Sequence, residues 1–127
     1  IRKTSCNDGL TLILALNYSG RQEICEAMKL LVSDINKKII NERDIDESLI
    51  SDYLYTKNIP DPELMIRTSG EMRVSNFLLW QFAYTELYFS DCFWPDFDDV
   101  QFQLALDDFA KRQRRYGSHD DQEYTDD

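Results

Sequence analysis

The run Leu10-Thr11-Leu12-Ile13-Leu14-Ala15-Leu16 is apolar at every position but one and follows the turn signal Asn7-Asp8-Gly9. A strand with one wet face alternates apolar and polar residues. A short, nearly continuous apolar run instead suits a strand buried on both faces, as in a parallel sheet covered by helices. The period then changes. After the polar loop Asn17 to Gly20, the residues Ile24, Met28, Leu31, Val32, Ile35 and Ile39 recur at helical spacing. They predict an amphipathic helix of about 20 residues.

The rest of the chain keeps alternating. A second, shorter helix is predicted from Asp44, with Glu47 completing a capping box and Leu49, Ile50, Tyr53 and Leu54 as its buried face. Pro60 and Pro62 break the chain before a short strand, Leu64-Met65-Ile66, which runs into the polar loop Arg67 to Ser75. Asn76 to Tyr84 is apolar almost all round and predicts an interior helix. Leu87-Tyr88-Phe89 reads as a third strand. Pro95 leads into a last helix, capped near Asp98, with Phe102, Ala105, Leu106, Phe109 and Ala110 as its stripe. A basic turn and Gly117 end it. The expected fold class is α/β, a parallel sheet flanked by helices. Three strands are too few for such a sheet to cover its own edges, and the chain opens at Ile1 without methionine. The sequence is therefore expected to be part of a larger fold.

Charge narrows the possible partners. The net charge is −10, and Asp120, Asp121, Glu123, Asp126 and Asp127 crowd the end. Residues 118–127 read as a solvated, disordered acidic tail, and without its five acids the body carries only −5. An acidic body argues against nucleic acid, which needs a basic face. It leaves room for a small anion, because a few arginines can reverse the sign locally. Cys6, Cys25 and Cys92 are far apart, without the C-x-x-C spacing of a zinc site, and read as reduced cytosolic thiols. No apolar stretch is long enough for a membrane span, and no signal-peptide pattern opens the chain.

Chemistry concentrates in Arg67-Thr68-Ser69-Gly70-Glu71-Met72-Arg73-Val74-Ser75-Asn76. In a parallel sheet, ligands bind beyond the carboxyl ends of the strands, and Arg67 leaves a strand at that end. Two guanidiniums, the Ser75 hydroxyl and the amino end of the next expected helix would together cradle a diphosphate. The plain alternative is that both arginines pair with carboxylates while Ser75 caps the helix. Neither G-x-x-x-x-G-K-[ST] nor G-x-G-x-x-G occurs, so a nucleotide phosphate loop is not supported.

The segment IRTSGEMRVSNFLLWQFAYTELYF, Ile66 to Phe89, resembles the signature region of the cis-prenyltransferases, the undecaprenyl diphosphate synthase family. The likeness continues through FWPDF (Phe93 to Phe97) to RRYG (Arg114 to Gly117), and upstream NYSGR (Asn17 to Arg21) is similar to the family's NYGGR turn. The resemblance implies that residues 1–117 are the carboxy-terminal half of a single-domain cis-prenyltransferase fold. It implies prenyl transfer, in which isopentenyl diphosphate units are condensed in cis onto a farnesyl-type allylic diphosphate. The product would be a long-chain, undecaprenyl-type diphosphate, a cell wall lipid carrier.

By the same resemblance, Arg67 and the R-x-S of Arg73, Val74 and Ser75 hold isopentenyl diphosphate. Arg115 and Gly117, in the R-x-G ending, reach a diphosphate across a homodimer, and Glu86 belongs to a magnesium site. Glu86 reads as the start of a strand, away from the ligand-binding end, so its site would be completed across the dimer interface. Met72 stands where some relatives have histidine. The family's catalytic aspartate lies in a D-G-N-G-R-W loop absent here. This chain alone is thus expected to be inactive, in a cytoplasmic enzyme at most peripheral to the membrane. A rival expectation is a non-catalytic partner subunit of a heteromeric enzyme. Asp96-Phe97-Asp98-Asp99 resembles the aspartate-rich motif of the all-helical trans-type synthases but sits at a helix start, where acids complement the dipole. His119, alone beside the tail, suggests no ligand set.

Overall fold

The computed structural model describes residues 4 and 6–112. Helix α1 spans Gly20–Asn36 and α2 spans Glu47–Tyr53. Strand β1 (Leu64–Arg67) pairs with strand β2 (Glu86–Phe89), and α3 covers Asp99–Lys111. The strands are parallel, with Leu64 opposite Glu86 and Arg67 opposite Phe89. The expected α/β arrangement is present, a parallel pair of strands with helices, and among the described residues the sheet has two strands.

Each helix begins where a short polar side chain replaces the missing backbone partner. Ser19 Oγ accepts from Gln22 N–H at 3.3 Å, Asp46 from Leu49 at 2.7 Å and Asp98 from Gln101 at 3.0 Å. The second helix thus starts from Asp46, two residues beyond the expected cap. Asp44 instead closes a 3₁₀ turn by accepting from the Asn41 N–H at 2.9 Å. Helix α1 stops short of the expected 20 residues. Lys38 turns left-handed (φ 59°), and the Ile39 N–H closes on the Asp34 carbonyl at 2.9 Å, a Schellman ending.

Three expectations need correction. Leu10 to Leu16 forms no strand and lies open, with Leu10 88% and Leu16 84% exposed. An apolar run becomes a buried strand only when neighbours bond its edges, and the described residues supply none. The buried line of α1 is Gly20, Glu23, Ala27 and Leu31, whereas Met28 and Val32 face outward. The third correction concerns Asn76 to Tyr84, which is a chain of turns. Ser75, Asn76 and Leu78 have φ of 46°, 63° and 44°. Left-handed residues cannot continue a right-handed hydrogen-bond ladder. Nor is the segment wholly interior: Gln81 is buried while Tyr84 is 77% exposed. No helix among the described residues is long and apolar enough to cross a membrane.

What joins these pieces is a buried carboxyl group. Glu23, on the first turn of α1, is 1% exposed and meets no cation among the described residues. The Tyr55 N–H donates to its Oε1 at 2.8 Å, and the Tyr18 hydroxyl donates to Oε2. Gln81 Nε2 adds a bond to Oε2 at 3.2 Å and another to Thr56 Oγ1 at 2.8 Å. A buried polar group survives only with such partners. The loop before α1, the chain after α2 and the turns before β2 therefore converge on one side chain.

Burial, the bond to Glu23 and the charge of that carboxylate, in that order, push the Tyr18 hydroxyl well above the usual tyrosine range. The folded chain then holds this proton more tightly than the unfolded chain. The associated stability is complete below about pH 10, the ordinary tyrosine value, and is lost as pH rises beyond it. Melting temperature is expected to fall from pH 9 to pH 12, and less steeply in Tyr18→Phe. Parallel slopes in the two proteins would dismiss the Tyr18 contribution.

Candidate functional site

Arg67 is the last residue of β1 and sits beside Phe89, at the carboxyl ends of both parallel strands. Its Nη1 donates to Ser75 Oγ at 2.8 Å and to the Arg73 carbonyl oxygen. The loop between them folds back over the strand end and brings Arg67, Ser75 and the Arg73 backbone together, where the sequence suggests two guanidiniums and the Ser75 hydroxyl. The guanidinium of Arg73 pairs with the Glu71 carboxylate in an exposed ion pair. Such pairs are weak and salt-screened, so an anion of higher charge can displace Glu71. The plain pairing alternative thus describes Arg73 but not Arg67, which donates to two neutral oxygens and makes no ion pair among the described residues. Val74 is half-buried in the same loop, and Met72 is 78% exposed.

The loop is shaped by backbone geometry. Ser69 and Gly70 are both left-handed, with φ of 69° and 68°. Their N–H groups donate to the carbonyls of Cys92 at 2.8 Å and Ser90 at 2.9 Å, tying the turn to the chain after β2. A Cβ on Gly70 would come within 3.2 Å of Asp91 Oδ1, in a conformation that already favours glycine.

Ser75 and Asn76 do not open a helix, so the loop brings no helix amino end of its own to the site. Asn76 is instead clamped to the start of α1. Its carbonyl accepts from Gly20 N–H at 2.8 Å and its Oδ1 from Arg21 N–H at 2.9 Å, while its Nδ2 donates to Ser19 Oγ at 2.9 Å. The sequence marks Asn76 for its backbone N–H beside the loop and not for its side chain, and it does not mark Glu23. Signals were present: Glu23, Ala27 and Leu31 recur every four residues, which puts a carboxyl group on the buried line of α1.

Glu86 lies at the opposite end of the strands, as the first residue of β2. Three residue steps separate it from Phe89, about 10 Å at the rise of a parallel strand. Its Oε2 accepts from Arg112 Nη1 at 2.8 Å. Arg112 also donates to the Leu87 carbonyl at 3.0 Å and, from Nη2, to Asp108 at 2.6 Å, anchoring the end of α3 on β2. Glu86 first and Asp108 second hold this guanidinium still more firmly protonated. Two carboxylates around one guanidinium leave the cluster negative. Glu86 is only half-buried, and its Oε1 takes no part in the bond to Arg112. Magnesium is commonly held by one or two carboxylates together with substrate phosphates. Glu86 therefore fits as one such ligand, but the described residues contain no cluster of three metal-binding side chains. Arg115 and Gly117 lie outside the described residues, as do His119 and the acidic tail.

The sequence profile of the undecaprenyl diphosphate synthase family matches residues 1–117. An isoprenyl transferase of Streptococcus mutans is 54% identical over 118 residues, covering 90% of this chain and 47% of the relative. One from Bacillus subtilis is 52% identical over 117 residues, covering 92% and 45%. Among solved structures, lavandulyl diphosphate synthase from Lavandula x intermedia, in complex with dimethylallyl diphosphate, aligns with a TM-score of 0.86 at 39% identity. That alignment covers 91% of this chain and 50% of the other. A probable undecaprenyl diphosphate synthase from Campylobacter jejuni aligns with a TM-score of 0.74 at 32% identity, covering 92% and 52%. The chain spans about half the length of the relatives it matches.

Proposed function

The chain belongs to the undecaprenyl diphosphate synthase family, and from that premise we propose that it supplies the isopentenyl diphosphate site of a cis-prenyltransferase. Residues 1–117 would be the carboxy-terminal half of the domain, followed by an acidic tail. The exposed run Leu10 to Leu16 supports this, since it has the pattern of a buried strand and lacks the neighbour that would bury it. The remaining half of the fold would provide that neighbour and the catalytic aspartate, and this chain alone would be inactive.

One observation carries the reading. Arg67 stands at the carboxyl end of a parallel pair, pairs with no carboxylate among the described residues, and already shares a bond with Ser75. In the condensation, the carbon–oxygen bond of the allylic diphosphate breaks and diphosphate departs. The double bond of isopentenyl diphosphate supplies the electron pair for the new carbon–carbon bond, and loss of a proton forms the cis double bond. Isopentenyl diphosphate keeps its own diphosphate throughout and can be held by it. Arg67 and Ser75 would grip its oxygens, and Arg73 would leave Glu71 for the same group. Fixing the diphosphate aims the double bond at the allylic carbon, which removes much of the entropic cost of a bimolecular step. A non-catalytic scaffold has no use for such a cradle, which favours a substrate-holding role.

The larger assembly is proposed with it. The enzyme would be a cytoplasmic homodimer, with the Asn76 to Phe89 region at the interface and Arg115 and Gly117 reaching the neighbour's diphosphate. Its allylic primer would be farnesyl-type, and its product an undecaprenyl-type lipid carrier for the cell wall. Magnesium, when bound, would neutralise diphosphate charge, with Glu86 as the ligand from this chain. Glu86 and Arg67 lie at opposite ends of the strands, so one metal-bound diphosphate would involve them from different subunits.

Two measurements test this. In the full-length enzyme, Arg67→Ala and Arg73→Ala each remove a charge-assisted bond worth ~1.5–3 kcal/mol. Each is expected to raise the Michaelis constant for isopentenyl diphosphate about 10-fold or more. Unchanged constants in both variants would make the arginines structural. Glu86→Gln keeps the shape but removes the charge, and is expected to need more magnesium for half-maximal rate. Metal-free binding of isopentenyl diphosphate should hardly change. A magnesium titration superimposed on the wild-type curve would confine Glu86 to anchoring α3 through Arg112.

A further inference from the structure

Resting on the diphosphate reading of the Arg67 loop, we propose that Asn76 is a positioning residue, which sets Ser75, and with it the Arg67 fork, by clamping the loop to the first turn of α1. The turns that carry Ser75 have no helical ladder of their own to hold them. Ser75, Asn76 and Leu78 are all left-handed, a conformation that costs a non-glycine residue energy unless its surroundings hold it there. Asn76 supplies that hold. Its carbonyl, Oδ1 and Nδ2 bind Gly20 N–H, Arg21 N–H and Ser19 Oγ at 2.8, 2.9 and 2.9 Å. One side chain thus satisfies a donor at the amino end of α1 and fixes the residue next to Ser75.

The approach is close enough to favour glycine on the helix. A Cβ at Gly20 would lie 3.0 Å from Leu79 Cγ, 3.1 Å from Leu79 N and 3.2 Å from Asn76 O. Two of these three atoms are backbone, so the loop itself would have to give by a few tenths of an ångström. Asparagine suits position 76 on two counts. It tolerates the left-handed conformation better than most residues, and its amide offers an acceptor and a donor at once. Aspartate would keep the acceptor but set a negative charge beside the proposed diphosphate.

Asn76→Gly tests the idea in the full-length enzyme, because glycine keeps the left-handed backbone and removes only the side-chain bonds. The Michaelis constant for isopentenyl diphosphate is expected to rise about 3- to 10-fold, as for lost hydrogen bonds. Turnover at saturation and the Michaelis constant for the allylic diphosphate should stay within about 2-fold. Ser19→Ala should shift the same constant in the same direction, Ser19→Thr should restore it, and the double variant should be no worse than Asn76→Gly alone. An unchanged constant in Asn76→Gly would overturn the proposal. So would an equal loss of turnover and of affinity for both substrates, which marks a merely structural residue. Arg67→Ala, measured alongside, separates the two levels. If Arg67→Ala weakens isopentenyl diphosphate and Asn76→Gly does not, only the positioning role fails. If neither does, the diphosphate reading falls and takes this one with it.

Discussion

The arrangement around the strands depends on Glu23, a carboxyl group buried on the first turn of a helix with no cation beside it among the described residues. Burying such a group is costly unless its oxygens are bonded, so the surrounding chain must deliver donors to fixed positions. Tyr18 supplies a hydroxyl, Tyr55 a backbone N–H and Gln81 an amide. These come from before α1, after α2 and within the turns before β2. Each donor constrains its own segment, and the last segment follows directly from the loop that carries Ser75. Next to Gln81, Trp80 adds a second tie, its indole N–H donating to the Ser51 hydroxyl at 3.1 Å. The packing of α1 therefore reaches the proposed site through hydrogen bonds rather than through a continuous apolar core.

A parallel pair also separates chemistry by polarity. Arg67 and Phe89 share one end, Leu64 and Glu86 the other, because both strands run the same way. The end with Arg67 gathers loops and exposes a guanidinium with neutral partners. The end with Glu86 is closed by α3, whose Arg112 binds Glu86, the Leu87 carbonyl and Asp108. One end is thus open to an anion and the other carries surplus negative charge. An acidic chain can hold an anionic substrate in this way, since what matters is the sign of the groups at one strand end and not the total.

Much of the site was legible in the order of residues. A short apolar strand ending in arginine, then a polar loop with a second arginine and a serine, reads as an anion cradle, and Arg67 and Ser75 do meet. The ion pair of Arg73 with Glu71 was readable only as the plain alternative for both arginines, because residues two apart in a loop meet only if the turn brings them together. The clamp by Asn76 spans 57 residues to Ser19, and no local pattern announces so distant a bond. The same limit hid the true inward line of α1. An apolar stripe and a line containing a carboxyl group compete for the interior, and only the donors waiting there decide between them.

What the sequence determined by itself was local: a cap at Asp98, the short strands Leu64-Met65-Ile66 and Leu87-Tyr88-Phe89, and alternation that favours a parallel sheet. These follow from bonds and periods within a few residues, which every copy of the sequence carries with it. Tertiary structure decided the fate of the two most apolar stretches. Leu10 to Leu16 stays open because a strand is made by its neighbours. Asn76 to Tyr84 gives up the helix its composition favours, because Ser75, Asn76 and Leu78 turn left-handed where Gly20 and Arg21 bind Asn76. Hydrophobicity set how strongly these segments seek burial, but the partners available in space set the form they take.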